Sequence, residues 1–314
     1  MLKLLIDTDP GVDDAIALLF ALKYHKFEVM GITTVGGNVD ITDVTANAAG
    51  LLNLAKRPDV PLIQGLQSQG RQRSEDVHGA GGLGGVHLEA GQINVHKNAG
   101  RFIVETVRAN PGEIRLVGLG PLTNIADAIR LEPRLPQLAE GLSIMGGAEF
   151  GGNVSNWAEF NIWQDPNSAA TVFAQDWQHL DMVGLDATAK AVLTPNIREL
   201  CFQLGLAGQP IGTLIHDITR NYLNSYWQRH RVLGCRIHDL LTLALLADPT
   251  ITQSVKAKVK VQIGGSQDGR TIVNRGSGNV QLYTDSTDNT RLMRLTLSTL
   301  FPKNLEEIRA VLEA

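Results

Sequence analysis

The sequence predicts one α/β domain over residues 1–314, with a mostly parallel central sheet flanked by helices. Short apolar or β-branched segments alternate with segments of helical periodicity over roughly the first 190 residues. This alternation is typical of parallel strands joined by crossover helices. No linker or low-complexity tract interrupts it. The length also allows a large core to be buried within a single unit.

The alternating region contains the predicted strands and helices in a regular order. The predicted strands are LKLLI, EVMGITTV, VPLIQG, IRLVGLG, LSIMGG and LDMVGLD. The predicted helices are AIALLFALKYH, ITDVTANAAGLLNLA, AGRFIVETVRAN, LTNIADAIRL and SAATVFAQD. Parallel strands place their carboxyl ends at one edge of the sheet, so the loops that follow them are the places to search for function.

The remainder of the chain follows a different pattern. Residues 194–247 are predicted to be mostly helical, and NLEEIRAVLEA is predicted to form the last helix. Between them, the Asp-Gly of QDGR is typical of a hairpin turn. We therefore expect a small antiparallel addition near residues 256–284.

Composition and charge exclude several classes of partner. Lys and Arg total 28 against 32 Asp and Glu, a net charge of -4, and no basic run indicates a nucleic-acid partner. No apolar stretch of about 18 residues predicts a membrane span, and no signal-peptide pattern precedes Asp7. Cys201 and Cys235 lack the spacing of a metal site or disulfide framework, which favours a reducing compartment. We expect a cytoplasmic protein without a membrane partner.

The stretch DTDPGVDD carries four carboxylates, Asp7, Asp9, Asp13 and Asp14, between the first strand and the first helix. Acids in the first turn of a helix complement its exposed N–H groups, and that structural role accounts for one or two of them. Four are harder to explain, because unit charges about 5 Å apart repel by about 3 kcal/mol at an effective dielectric near 20. A hard divalent cation held by oxygen ligands, Ca²⁺ or Mg²⁺, would remove this repulsion.

A second candidate cluster is the pair His238 and Asp239, which opens an almost wholly apolar segment. A helix that is apolar on all sides is normally buried, so the pair is expected to be carried inward. The alternative is structural, with Asp239 as a helix cap and His238 as a hydrogen-bonded core histidine.

Other strand-exit loops carry polar side chains or helix-start signals. The loop 151–161 mixes amides and a carboxylate with aromatic rings, which suits recognition of a polyhydroxylated ring, although such a loop is often only solvated. In LGPLTN we expect a helix start, with Pro121 in its first turn and Thr123 or Asn124 as the cap. Tyr222 and Tyr226 share one helix face with His230, a pattern equally consistent with aromatic packing.

Taken in order, these motifs resemble the inosine–uridine-preferring nucleoside hydrolase family. The matching segments are DTDPGVDD, TTVGGN, LGPLTNIA, IMGGA, NVSNWAEFN and the His-Asp pair. The resemblance implies a Ca²⁺ site formed by Asp9, Asp14, Asp239 and the backbone carbonyl of Leu119. It implies a substrate pocket formed by Asp13, Asn38, His78, Asn153, Glu159, Phe160, Asn161, Tyr222, Tyr226 and Asp239.

The activity implied by the resemblance is calcium-dependent hydrolysis of the N-glycosidic bond of ribonucleosides, releasing a free base and ribose. Asp9 would activate a water, and His238 would assist the leaving base, with Tyr226 as the second candidate for that proton. A homodimer or homotetramer is implied as well. Two alternatives remain open: a non-catalytic nucleoside- or pentose-binding protein, and a Mg²⁺-dependent aspartyl phosphotransferase using the Asp-x-Asp of DTD.

Overall fold

The computed structural model describes residues 1–68, 71 and 74–313. Its strands are β1 (Leu2–Thr8), β2 (Phe27–Gly36), β3 (Leu62–Gln67), β4 (Val95–Lys97), β5 (Ile114–Gly118), β6 (Gly141–Met145), β7 (Leu180–Val183), β8 (Val192–Leu193), β9 (Cys235–Arg236), β10 (Ser254–Val261), β11 (Thr271–Arg275) and β12 (Val280–Tyr283). Its helices are α1 (Val12–Lys23), α2 (Ile41–Ala55), α3 (Glu75–His78), α4 (Ala99–Ala109), α5 (Thr123–Leu131), α6 (Leu135–Leu138), α7 (Phe160–Gln164), α8 (Pro166–Phe173), α9 (Leu185–Thr188), α10 (Pro195–Leu206), α11 (Pro210–His230), α12 (His238–Ala247), α13 (Asn289–Leu300) and α14 (Leu305–Leu312). Short 3₁₀ turns lie at Ala80–Gly82, Pro249–Ile251 and Gly265–Gln267.

The main sheet has the strand order β11-β10-β12-β7-β6-β5-β1-β2-β3-β4. Strand β1 lies inside the sheet and pairs in parallel with β2 on one side and β5 on the other. The chain builds β2, β3 and β4 outward from β1, then returns to place β5, β6 and β7 on the opposite side. The predicted α/β fold with a mostly parallel sheet is confirmed.

The antiparallel addition joins one edge of this sheet. Strands β10 and β11 pair in antiparallel fashion around the predicted turn, and β12 pairs antiparallel with β10 and parallel with β7. A separate two-stranded sheet, β8 with β9, was not predicted. Each of its strands has two residues, too few to produce a periodicity in the sequence.

The core explains why the middle of the first strand, Leu4–Ile6, is a continuous apolar run. Leu4 and Ile6 belong to the apolar cluster on one face of the sheet, whereas Leu5 belongs to the cluster on the other face. Successive side chains of a strand point to opposite faces, so a strand covered on both sides needs apolar residues at every position. Among the described residues, no helix is both long and apolar enough to span a membrane.

The expected start of α5 is partly wrong. Leu122 is the N-cap residue, so Pro121 precedes the cap and lies outside the first turn. Thr123 and Asn124 are the first two helical residues, so neither serves as the cap. The Asn124 side chain instead donates to Asp7 Oδ1 (2.8 Å) and to the Thr34 carbonyl (2.9 Å), and accepts from the Leu66 N–H (2.9 Å). These contacts tie α5 to three neighbouring strands.

Replacing Asn124 with Ala is expected to lower the free energy of unfolding by about 3 kcal/mol, because buried strand groups lose their partner. Urea unfolding of the two proteins measures the difference. Asn53→Ala is the matched control, since the Asn53 side chain makes its hydrogen bond to Glu89 at an exposed position. Equal losses in the two variants would contradict a special role for Asn124.

Candidate active site

The site lies where the direction of strand order changes, at the carboxyl ends of β1 and β5. The loop after β1 leads to β2 on one side, whereas the loop after β5 leads to β6 on the other. Diverging loops leave a crevice at such a point, which is where open α/β sheets bind ligands. Asp9 follows β1 and Leu119 follows β5. Because α12 packs against α1, the residues that open these two helices also meet there.

Asp9 is held in place by Asn38, which follows β2. The Asn38 N–H donates to Asp9 Oδ2 (2.8 Å), and Asn38 Nδ2 donates to the Asp9 carbonyl (3.1 Å) and to Asp14 Oδ2 (3.2 Å). Residue 37 must be glycine for this approach, because a Cβ there would lie 2.2 Å from Asp9 Oδ2. One asparagine therefore fixes the spacing between the two carboxylates.

Asp13, Asp14 and Asp239 form a compact group in which one carboxylate oxygen from each lies within 4.8 Å of the others. Asp14 also has the helix-capping role considered from the sequence, since it accepts from the Gly11 N–H (3.0 Å) and from the Thr8 hydroxyl (2.6 Å). Asp9, expected as a ligand, is not in this group, whereas Asp13, expected to bind ribose, is.

Burial makes these carboxylates strong proton acceptors. It raises the pKa of Asp13 to about 7 and that of Asp9 and Asp239 well above the usual range, and the charge of Asp14 adds to the rise in all three. Within the described residues, no Lys or Arg forms an ion pair with any member of the cluster; Asp13 lies 3.8 Å from His78 Nδ1. Burial lowers the pKa of His78 to about 4, so this imidazole is neutral near pH 7. The carboxylate oxygens of Asp13, Asp14 and Asp239, with which no described Lys or Arg pairs, form a group that can hold a hard metal ion.

A cavity of about 290 Å³ opens beside this cluster. Its lining includes all ten predicted substrate residues, the predicted carbonyl ligand and the predicted catalytic histidine: Asp13, Asn38, His78, Leu119, Asn153, Glu159, Phe160, Asn161, Tyr222, Tyr226, His238 and Asp239. Asp9 and Asp14 lie outside the lining. Residues separated by more than 200 positions in the sequence are thus brought to one pocket.

The loop before α7 forms one wall of the cavity. Glu159 is the N-cap of α7, and its carboxylate accepts from the N–H groups of Gly147 (2.9 Å), Asn161 (2.9 Å) and Ile162 (3.2 Å). Asn153 Oδ1 accepts from the Phe160 N–H (2.9 Å), which holds the two ends of the loop together. The loop is therefore fixed by its own polar side chains.

Asn161 presents a defined hydrogen-bonding face. Its Nδ2 donates to the carbonyls of Leu119 (2.7 Å) and Met145 (3.2 Å). A carbonyl only accepts, so these contacts decide which end of the amide is nitrogen. The amide thus links the loop after β5 to the end of β6.

His238 and Tyr226 form one hydrogen-bonded pair rather than two independent candidates. Tyr226 Oη lies 2.8 Å from His238 Nε2, and Thr188 Oγ1 lies 2.7 Å from His238 Nδ1. The His238 backbone N–H donates to Asp13 Oδ2 (3.2 Å), which joins the pair to the acidic cluster. Burial, with a smaller effect from Arg236, lowers the pKa of His238 to about 3, so its imidazole is neutral.

Helix α11 supplies an aromatic wall. The rings of Tyr222 and Tyr226 meet edge to face with centroids 5.1 Å apart, and Tyr222 also lies 5.1 Å from the ring of His78. His78 Nδ1 accepts from the Val12 N–H (3.1 Å), which leaves Nε2 as its N–H group. The predicted shared face is confirmed, because His230 also lines the cavity.

Several lining residues were not predicted as site residues. They are Ser74, Asp76, Val77, Met145, Val154, Trp163, Ser225, Arg229 and His230. Ser225 and Arg229 follow Tyr222 by three and seven positions, so helical spacing alone would have found them. Arg229 forms an ion pair with Asp76 across the cavity wall.

Residues 4–296 match the protein-family model described as inosine-uridine preferring nucleoside hydrolase. The chain belongs to this nucleoside hydrolase family. Uridine nucleosidase 1 of Arabidopsis thaliana is 35% identical over 280 residues, covering 87% of this chain and 82% of that protein. The pyrimidine-specific ribonucleoside hydrolase RihB of Escherichia coli is 35% identical over 280 residues, covering 86% of each chain. The solved structure of a purine-preferring ribonucleoside hydrolase from Gardnerella vaginalis has a TM-score of 0.88 at 28% identity, covering 99% of this chain and 100% of that one.

Membership of the nucleoside hydrolase family confirms the resemblance inferred from the sequence motifs. The match spans both the aspartate motif at the end of β1 and the His-Asp pair that opens α12. These are the two segments that meet at the acidic cluster of the nucleoside hydrolase fold.

The pKa of Asp7 provides a test of how burial affects the carboxyl groups at this end of β1. Burial raises its pKa to about 7, against about 3.9 in an unfolded chain, and its Oδ2 has no hydrogen-bond partner among the described residues. Folding therefore favours the protonated form. That stabilisation is fully present below about pH 4 and is lost as the pH rises through 7.

Asp7→Asn removes the titrating carboxyl group with little change in the shape of the side chain. In chelator, the free energy of unfolding of the wild type is expected to fall relative to the variant between about pH 4 and 7, by at most about 1.4 kcal/mol per pH unit. Urea titrations at several pH values measure the difference. Parallel pH profiles for the two proteins would refute the raised pKa.

Proposed function

We propose that the protein is a calcium-dependent ribonucleoside hydrolase that releases a free base and ribose. The observation that carries the proposal is the convergence of a wall of buried carboxylates and amides, an acidic cluster and a hydrogen-bonded His-Tyr pair on one cavity. Family membership supports the same reaction. The deciding experiment is measurement of free-base release from uridine, cytidine, inosine and adenosine.

The ribose is proposed to lie against Asp13, Asn38, Asn161 and Asp239. Each brings a carboxylate or amide to the cavity, and each is buried. A sugar hydroxyl can donate to such an oxygen or accept from an amide. Asn153, Glu159 and Phe160 would lie near the 5′ end of the sugar. The base would then lie toward His78, Tyr222, Tyr226 and His238.

Ca²⁺ is the ion proposed for the acidic cluster. Asp9, Asp14, Asp239 and the Leu119 carbonyl would hold it, with Asp13 close by. All of these donors are oxygens, which favours a hard cation over zinc. The uncompensated charge of the buried carboxylates supports occupancy by a cation. When bound, such an ion lowers the pKa of water and makes hydroxide available near neutral pH.

Asp9 is proposed to accept the proton of the attacking water. In the metal-free protein, burial and the neighbouring charge of Asp14 raise the pKa of Asp9; a bound cation would act in the opposite direction and keep this carboxylate ionised, as a proton acceptor must be. The oxygen then forms a bond to C1′ as the bond to the base breaks. The surrounding carboxylates oppose the positive charge that develops on the sugar. His238, paired with Tyr226, would assist departure of the base on the opposite face, so the sugar configuration would invert.

Three further features are part of the proposal. Residues 1–314 would act as one domain, because apolar clusters on both faces share the same sheet. The protein would be cytoplasmic, since its two cysteines are buried free thiols. A homodimer or homotetramer is proposed from the likeness to the family.

Removal of Ca²⁺ is expected to lower the melting temperature and abolish turnover. A ligand that binds only the folded state stabilises it by about 2.7 kcal/mol at a hundredfold excess over Kd. Thermal unfolding with chelator and with added Ca²⁺ measures this effect. Asp239→Asn should lose the response, whereas Asp43→Asn, at an exposed position of α2, should keep it. Unchanged melting and activity after exhaustive chelation would exclude the metal site.

Asp9→Asn is expected to keep the fold and reduce kcat by at least about a hundredfold, because the proton acceptor is lost. Asp43→Asn serves as the control for loss of one negative charge near the same sheet edge. Steady-state rates with the best nucleoside of the panel provide the measurement. Turnover near that of the wild type would remove Asp9 from the mechanism.

A further inference from the structure

Thr188 contacts the His-Tyr pair from outside the cavity lining. It is the last residue of α9, its side chain is fully buried, and its Oγ1 lies 2.7 Å from His238 Nδ1. The surrounding backbone is fixed, since the Thr287 hydroxyl donates to the Ala187 carbonyl (2.9 Å) and the Ala191 N–H donates to the Thr188 carbonyl (3.0 Å). The hydroxyl is therefore presented to His238 from a rigid turn.

The number of available protons decides the direction of this hydrogen bond. A neutral imidazole carries one N–H, and in the described part of the chain the Thr188 hydroxyl has His238 as its hydrogen-bond partner. If Nδ1 carried the proton, the buried hydroxyl proton would have no acceptor, which is unfavourable for a buried polar group. If Nε2 carries it, Thr188 donates to Nδ1 and both groups are satisfied. The second arrangement is favoured.

The same argument extends to Tyr226. With the proton on Nε2, His238 donates to Tyr226 Oη across 2.8 Å. The hydroxyl proton of Tyr226 must then point away from His238, and Tyr226 lines the cavity. Burial and the negative charge of Asp13 raise the pKa of Tyr226, and the Tyr222 hydroxyl and the Arg236 guanidinium lower it by less. Arg236 lies 6.0 Å from the ring centre. The Tyr222 hydroxyl and Arg236 are thus the groups that would oppose the cost of forming a phenolate at this buried position.

Resting on the proposed nucleoside hydrolysis, we propose that Thr188 is a positioning residue that holds His238 in its Nε2–H form, so that Tyr226 gives its proton to the leaving base. As the C1′–N bond breaks, its electron pair leaves with the base. The Tyr226 hydroxyl proton moves to a nitrogen of the base, and His238 Nε2–H stabilises the resulting phenolate. Tyr226 regains a proton from solvent, and Asp9 returns to solvent the proton it took from water.

The kinetic test compares Thr188→Val, which replaces the hydroxyl with a methyl group, with Thr188→Ser, which keeps it. For nucleosides, kcat of the Val variant is expected to fall about 10- to 100-fold, the range found when a partner that orients a metal-bound histidine is removed. A nitrophenyl riboside should be spared, because its leaving group departs without a proton. Thr188→Ser should restore the nucleoside rate, and Tyr226→Phe should show the same substrate dependence as Thr188→Val.

A purely structural role for Thr188 would give a different result. Equal loss on both substrates, with a lower melting temperature, would overturn the proposal, and so would an unchanged nucleoside rate in Thr188→Val. Full activity of Tyr226→Phe on nucleosides would overturn the role of Tyr226.

Nitrogen-15 NMR of the free protein tests the tautomer without any substrate. The His238 signals are assigned by their loss in His238→Gln, and the expected result is a protonated Nε2 with an unprotonated Nδ1. A protonated Nδ1 in the wild type would overturn the proposal even if nucleosides are hydrolysed. Absence of nucleoside hydrolysis by the wild type, with Nε2–H present, would overturn the proposed function and the role of Tyr226 but not the tautomer.

Discussion

The arrangement of this site depends on the concentration of negative charge that the fold places at one point. Three elements deliver it: the loop after β1, the first turn of α1 and the first turn of α12. Asp13, Asp14 and Asp239 are buried together, and hydrogen bonds from neighbouring backbone and side chains do not neutralise them. A bound cation or bound protons must balance that charge. A bound cation would therefore both balance the buried negative charge and take part in the chemistry of the pocket.

Much of the fold could be predicted, because its central strands are covered on both faces. Burial on both faces favours strands rich in apolar and β-branched residues, and β1, β2 and β5 show this composition, although Lys3, Glu28 and Arg115 interrupt it. Periodicity predicted the helices α1, α2, α4, α5, α8 and α14 and the helical region that contains α10, α11 and α12, but it missed α13 and the four- and five-residue helices α3, α6, α7 and α9. The two-residue strands β8 and β9 left no such pattern, since their pairing depends on where distant elements bring the chain.

Site residues could be predicted from the sequence where they lie in short local motifs. The aspartates of the first loop and the His238–Asp239 pair could be selected because carboxylates and imidazoles are unusual beside buried segments. Asn124 was placed correctly in a helix start but with the wrong role, because its true partners lie on three strands. Nothing local marked Thr188, since a single threonine after a strand has no distinguishing pattern.

Helix α11 carries one side of the pocket on a continuous segment of 21 residues. Ser225, Arg229 and His230 share that segment with the two tyrosines. Because neighbouring positions on a helix differ by about 100° around its axis, a one-residue insertion before Tyr222 would turn the whole group away from the cavity. Point substitutions can change these side chains one at a time, whereas length changes alter all of them at once. Descendants of this sequence are therefore expected to differ in the base-facing wall by substitutions, and to keep the length of α11 constant.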